Sequence, residues 1–217
     1  MKLNLPDITL LVLHMHGKPY PVEGLEKCME VANFGEVRVL TDDMNFKHSE
    51  INAHRIPAIR TMDEYSLFFI KDFWKTFNTE FCLTAHPDGF IINPESWTDE
   101  FLNYDYIGAP WSPSGPRFRD NLGRPGIGNG GFSLRSKKIC KFVRDNYLII
   151  NENEDMYYSN CMNTHKPSSI KYPSVELALQ FAQETMLDKN IKPFGFHNWT
   201  QYTPGGKYWY EQWKNKE

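Results

Sequence analysis

Apolar positions along the chain alternate between short unbroken runs and helical spacing. Asp7 to Met15 enclose the apolar run ITLLVLH, bounded by Pro6 and Gly17, and this predicts a buried strand. Leu25, Cys28, Met29 and Ala32 recur at helical spacing, which predicts a helix over residues 22–34 closed by Gly35. Residues 36–41 read as a second strand running into the polar turn Thr41-Asp42-Asp43. Strand, helix, strand in that order argues for a parallel sheet with right-handed crossovers. Leu67, Ile70, Phe73, Trp74 and Phe77 predict a helix over residues 63–77 with Asp63 at its N-cap, and Phe81 to Ala85 a further strand.

Beyond residue 103 the pattern changes. Residues 103–111, NYDYIGAPW, read as an apolar strand ending in a rigid turn that places Trp111 as a platform for a sugar ring; core packing explains Tyr104 and Tyr106 equally well. Residues 110–125 are rich in proline and carry Arg117, Arg119 and Arg124, the composition of a mobile loop. A strand over 131–135, a helix over 136–148 capped by Ser136, a helix over 174–184 and an aromatic helix over 208–213 packed back on the domain complete the expected elements. Gly126, Gly128 and Gly131 fit the spacing G-x-G-x-x-G. A dinucleotide fingerprint needs a strand before it and a helix starting within it. Here a proline-rich loop precedes and a strand follows, so that reading fails. Close approach is the better one: Asn129, Gly130 and Gly131 would let a ligand lie on bare backbone, or simply form a loop-to-strand turn.

Composition narrows the partners. A net charge of −3 supplies no basic surplus for a phosphate backbone, so nucleic acid is not expected. Six Trp and eleven Tyr offer rings for stacking on sugars, although ordinary core positions account for most. Cys28, Cys82, Cys140 and Cys161 form no C-x-x-C pair and read as free thiols of a reducing compartment. The run Leu10 to Leu13 is too short for a membrane span or a leader core, so a cytoplasmic location is expected, the host's if the source is viral.

Chemistry-bearing residues gather at expected strand ends. His86 and Asp88 lie two apart after the strand ending at Ala85, and a turn there can aim both at one ion. His197 offers another imidazole after the apolar run Phe194-Gly195-Phe196. Glu154 and Asp155 stand at a helix start, where they either complement the helix dipole or present a general base to a cleft.

Five blocks, in order, carry a resemblance: Asp88-Gly-Phe-Ile-Ile-Asn-Pro-Glu-Ser-Trp97, Phe101-Leu-Asn-Tyr-Asp-Tyr-Ile-Gly-Ala-Pro-Trp111, Gly128-Asn-Gly-Gly-Phe-Ser-Leu-Arg135, Glu154-Asp155 and Gly195-Phe-His197. The chain resembles a family of bacterial and viral GT-A-like glycosyltransferases, many of them known only as a domain of unknown function, from about residue 7 to about residue 198. The resemblance implies an α/β GT-A (Rossmann-like) fold, a mixed, mostly parallel sheet flanked by helices, in one domain over residues 1–217. Its donor-nucleotide half would span about 1–110, its acceptor and catalytic half about 111–200, and its aromatic tail 201–217. The implied activity is sugar transfer from a nucleotide-diphosphate donor, a UDP-sugar favoured, to a glycan hydroxyl, with Mn²⁺ or Mg²⁺. His14, Thr41, Asp42, Tyr65, Asp88, Gly89, Asn129, Gly130 and Gly131 would bind the donor. Asp88, His197 and His86 would hold the metal, with His86 standing where the family's D-x-D-like motif has its first Asp. Asp155, with Glu154, would be the catalytic carboxylate, and the proline-rich loop would close over the donor. The acceptor would be a surface polysaccharide or a glycoprotein glycan, and the chain a module of a larger glycan-building protein. Two rivals stand beside this reading: a glycan-binding module on the same shell without turnover, and a nucleotidyltransferase. The latter usually carries a glycine-rich basic loop after the first strand, where this chain reads His14-Met-His-Gly-Lys-Pro19.

Overall fold

The computed structural model describes residues 2–112, 126–146, 153–165, 169–200 and 202–216, with only the helix backbone for residues 160–165. The closing-loop reading of 112–124, with its three arginines, falls almost wholly outside the described residues. Six strands form the main sheet: β1 (Leu3–Leu13), β2 (Ala32–Thr41), β3 (Asn52–Arg55), β4 (Phe81–Ala85), β6 (Tyr106–Gly108) and β7 (Phe132–Ser136), in the order β3-β2-β1-β4-β7-β6. The pairs β3–β2, β2–β1 and β1–β4 are parallel, while β7 runs antiparallel to both β4 and β6. Three short strands, β5 (Gly89–Ile91), β8 (Ala182–Gln183) and β9 (Gly195–His197), make a second sheet in the order β5-β9-β8. Helices α1 (Glu23–Val31), α2 (Met62–Lys71), α3 (Lys137–Asp145), α4 (Glu154–His165), α5 (Val175–Phe181) and α6 (Pro204–Lys214) surround them. The fold is mixed α/β, a mostly parallel sheet flanked by helices.

The unbroken apolar run in β1 has a simple cause: the sheet is covered on both faces. Leu10 and Val12 pack with Leu25 of α1, Phe90 and Phe181. Their neighbours Leu11 and Leu13 point the other way, against Phe69 of α2, Ile139 of α3 and Tyr158 of α4. Each such fully buried side chain contributes about 1.5–3 kcal/mol relative to exposure.

Several boundaries differ from the sequence reading. α1 ends at Val31, because Ala32, Asn33 and Phe34 pair with Leu3, Asn4 and Leu5 and extend β2 toward its start. Gly35 is therefore no helix cap: it lies within β2, where a Cβ would overlap the carbonyl of Pro6. α2 is capped by Thr61, not Asp63, and it stops at Lys71; Phe73–Lys75 form a 3₁₀ turn. Phe73 and Phe77 are nonetheless core residues. Ser136 caps α3 through Ile139 N. The helix expected over 174–184 is shortened to α5, and β8 follows it directly. β3 lacked an apolar signature, since Asn52-Ala-His-Arg55 sits at the sheet edge with its side chains largely exposed. Trp111 is buried, which removes it as an exposed platform for a sugar. The aromatic tail does pack back: Trp213 meets Phe90 at 4.9 Å, and Lys27 of α1 lies 4.3 Å from the Trp213 ring.

Connections run outward from β1 to β2 and β3, then return to β4 on the other side of β1. That reversal opens a crevice at the carboxyl ends of β1 and β4, the place where open α/β sheets bind ligands. β1 ends next to His14 and β4 next to His86.

Candidate active site

The turn after β4 carries His86-Pro87-Asp88 and is closed by Gly89 N donating to His86 O at 3.0 Å. β5 then pairs antiparallel with β9, opposing Gly89 to His197. Residues distant in sequence so converge. Single ligand atoms of His86, Asp88 and His197 all lie within 4.8 Å of one another, the spacing of a metal-ligand set. His197 Nε2 stands 3.5 Å from Asp88 Oδ1, and its Nδ1 lies 3.1 Å from Glu184 Oε1. His86 Nε2 lies 2.9 Å from the Tyr65 hydroxyl. Burial, then the charge of His197, lowers the pKa of His86 to about 4 and keeps it neutral. Burial acts the same way on His197, but Asp88 and Glu184 outweigh it and raise the pKa to about 10. Burial opposes ionisation of Asp88, yet the hydrogen bond and charge of His197 hold its pKa below the ordinary value. Two imidazoles and one carboxylate make a borderline donor set that suits a divalent transition ion better than Mg²⁺. The hydrogen bond between Glu184 and Nδ1 is the outer-shell contact that ligating histidines commonly have.

β7 brings Asn129-Gly130-Gly131 alongside. His86 N donates to Gly131 O at 2.8 Å, and Thr84 Oγ1 donates to Gly130 O at 2.9 Å. The two glycines do not offer bare backbone to a ligand, because the protein's own side chains fill that space. A Cβ on Gly130 would overlap Glu154 Oε1, and one on Gly131 would overlap the His197 ring. Asn129 is buried as well, its Nδ2 donating to Glu184 Oε2 at 2.8 Å and its Oδ1 accepting from Phe132 N at 3.1 Å. Gly89 is likewise enclosed by His197, Gly131 and Phe132.

Glu154 and Asp155 part company at the start of α4. Glu154 is buried and pairs with Arg135 Nη2 at 3.1 Å. The fully buried Arg135 guanidinium also faces the rings of Phe69, Phe73, Tyr106 and Tyr158. Glu154 is thereby committed to an internal ion pair. Asp155 turns toward the glycine strip, its Oδ2 accepting from Gly130 N at 3.3 Å and its Oδ1 from Met156 N at 2.7 Å. Burial, reinforced by the charge of Glu154, raises its pKa to about 7, in the range of a general base at neutral pH.

The residues at the other strand ends form a separate group. His14 and Thr41 are buried and bonded to each other, Nδ1 to Oγ1 at 2.8 Å, while His14 Nε2 lies 2.7 Å from the Lys18 carbonyl. Both ring nitrogens of His14 are thus engaged within the fold. Asp42 Oδ2 lies 2.6 Å from His16 Nδ1, and its Oδ1 is buried with no hydrogen-bond partner among the described residues. An apolar cavity of about 230 Å³ beside His86 is lined also by Leu13, Met15, Lys18, Tyr65 and Pro87. Sequence reasoning missed Glu184 and the buried charge of Arg135. Arg135 left a trace, a cation inside the apolar strand Phe-Ser-Leu-Arg; Glu184 left none, since nothing in Ala-Gln-Glu-Thr-Met predicts a partner in His197.

No curated protein matches the chain. Among solved structures, it is similar to the mannosyltransferase PcManGT from Pyrobaculum calidifontis in complex with GDP-Man and Mn²⁺, at 10% identity and a TM-score of 0.48 over 79% of this chain and 57% of that one. The glycosyltransferase GlyE of Streptococcus pneumoniae TIGR4, in its apo form, is 10% identical with a TM-score of 0.46, over 98% of this chain and 60% of that one. A 4-diphosphocytidyl-2C-methyl-D-erythritol synthase from Anaerococcus prevotii DSM 20548 is 11% identical with a TM-score of 0.41, over 82% of this chain and 93% of that one. The chain thus spans about three fifths of the length of the two glycosyltransferases. Residues 47–197, more than half of the sequence, match the family described as protein of unknown function DUF5672, and the chain belongs to that family.

Proposed function

We propose that the protein transfers a sugar from a nucleotide-diphosphate donor, a UDP-sugar in the first instance, to a hydroxyl of a glycan acceptor. The observation carrying this reading is the convergence of His86, Asp88 and His197 at the carboxyl end of β4, with Asp155 presented across the glycine strip. These three side chains would hold a divalent ion, Mn²⁺ or Mg²⁺, which supplies positive charge for the diphosphate that leaves. In the ligating arrangement His197 donates its Nδ1–H to Glu184 and keeps the Nε2 lone pair on the Asp88 side. His86 donates Nε2–H to the Tyr65 oxygen and keeps the Nδ1 lone pair.

The chain's own groups account for the rest. Each oxygen of Asp155 accepts one backbone N–H and retains a lone pair, so the carboxylate is fixed in direction yet able to take a proton. An acceptor hydroxyl placed against it would lose its proton to Asp155 as the new glycosidic bond forms. Asp42, just after the end of β2, carries a buried carboxylate oxygen with no partner among the described residues, suited to a donor hydroxyl. Met15, Tyr65 and Pro87 give the cavity beside His86 an apolar wall for a flat ring. Glu154 has a different role: paired to Arg135, it holds α4 against β7 and keeps Asp155 at Gly130.

Release of nucleoside diphosphate from UDP-, GDP- and dTDP-sugars with Mn²⁺ and a glycan acceptor tests the proposal, with a CMP-sugar, which releases CMP, as the monophosphate comparison. The wild-type protein should turn over one of these donors, and Asp155→Asn should lower the rate roughly 10²–10⁴-fold. A folded Asp155→Asn variant at full rate would remove the base assignment; no turnover of any donor would count against transfer itself.

A further inference from the structure

We propose that Glu184 is a positioning residue that fixes the proton of His197 on Nδ1 and so reserves Nε2 for a divalent cation. The inference rests on the metal reading above and names a residue that the sequence blocks did not contain.

The argument is one of donors and acceptors. Phe132 N donates to Asn129 Oδ1 at 3.1 Å, which fixes the orientation of the Asn129 amide. Its Nδ2 therefore points at Glu184 Oε2, 2.8 Å away, and needs an acceptor there. The other carboxylate oxygen, Oε1, faces His197 Nδ1 at 3.1 Å. A carboxylate has acceptors only, so it satisfies Asn129 with one oxygen and calls for N–H on His197 with the other. By the same rule the remaining ring nitrogen, Nε2, 3.5 Å from Asp88 Oδ1, carries a proton in the metal-free protein, and a cation held by Asp88 would take that proton's place while Nδ1–H stays with Glu184. Backbone geometry holds Glu184 in place from outside: its carbonyl accepts from Gly205 N at 2.7 Å and Gly206 N at 3.0 Å at the start of α6. The side chain itself is buried.

Glutamine at this position has the same shape and the opposite consequence. Its amide oxygen would have to serve Asn129, leaving its NH₂ toward His197. An NH₂ donates, so His197 would accept at Nδ1 and carry its proton on Nε2, where a metal must bind. Every hydrogen bond of the buried network would be kept while the tautomer is reversed. Loss of such an outer-shell partner typically weakens metal binding by about 10–100-fold.

The experiment titrates Mn²⁺ into full-length wild-type, Glu184→Gln and Asp88→Ala proteins by calorimetry, with metal-free thermal midpoints measured alongside. The inference expects binding by wild type, loss of binding by Asp88→Ala, and about 10–100-fold weaker binding by Glu184→Gln at a nearly unchanged midpoint. Wild-type affinity in Glu184→Gln, with Asp88→Ala still defective, would overturn the role of Glu184 and leave the metal reading standing. No Mn²⁺ binding by wild type would overturn both. A second readout does not depend on the variant folding: long-range ¹H–¹⁵N correlation spectra of the wild-type protein with Zn²⁺. His197 should show a protonated Nδ1 and a metal-bound Nε2; the reverse assignment would overturn the inference.

Discussion

At the scale of single residues, Asp155 gives the sharpest expectation. Burial and the Glu154 charge raise its pKa to about 7 from an ordinary value of 3.8. The folded protein keeps this proton to higher pH than the unfolded chain does. The group's contribution to stability is therefore complete below about pH 4 and is lost as pH rises to about 7. Relative to Asp155→Asn, which cannot titrate there, the wild-type thermal midpoint should fall across that window. The transfer rate should climb over the upper part of the same window, because only the deprotonated carboxylate accepts a proton. An acid limb near pH 4, with parallel stability curves, would show an unperturbed carboxylate. The residue scale also marks where reading sequence alone failed. The spacing of Gly130 and Gly131 admits either room for a ligand or a plain turn, and the room is taken by Glu154 and His197. A glycine reports that something comes close, and only three-dimensional contact says what it is.

At the scale of elements, α2 shows how local chemistry sets a boundary that periodicity blurs. Thr61 Oγ1 accepts from Glu64 N at 3.1 Å, and Glu64 Oε2 accepts in turn from Thr61 N at 3.3 Å and from Arg60 N at 2.6 Å. This reciprocal box satisfies otherwise orphaned donors, so Thr61→Ala should cost about 1 kcal/mol while Asp63→Ala costs only the few tenths expected of helix-dipole charge. Urea denaturation of the two variants checks the order; equal costs would return the cap to Asp63. The Thr-x-x-Glu signature was legible in the sequence, whereas the end of α1 was not. Spacing through Ala32 continued the helical pattern, but Ala32, Asn33 and Phe34 gain ladder hydrogen bonds with β1. Tertiary pairing overrode local propensity there. Most core strands were readable because both sheet faces are covered; β3 was not, since an edge strand with exposed side chains has no apolar run to betray it.

At the scale of the whole molecule, a buried ion pair ties α4 to the sheet. Arg135 lies on β7 in a box of four rings, and its partner Glu154 opens α4. His86 follows β4 and the glycine strip leads into β7, so the pair sets how Asp155 meets them. A buried pair of this kind is weak evidence for net stability, because desolvation offsets much of the attraction. Breaking it is another matter. Arg135→Met should cost about 3–5 kcal/mol by leaving Glu154 charged and alone, and Arg135→Met with Glu154→Leu should recover most of that loss. The two outcomes separate roles that sequence cannot. If the double variant regains stability but transfers sugar slowly, the pair is there to aim Asp155. If it regains both, Asp155 is held by Gly130 and Met156 alone, and the charges serve only the fold. Chemical denaturation paired with initial rates on one preparation of each variant decides between them. A double variant as unstable as Arg135→Met would show instead that the aromatic box, and not the ion pair, is what the molecule needs at this junction.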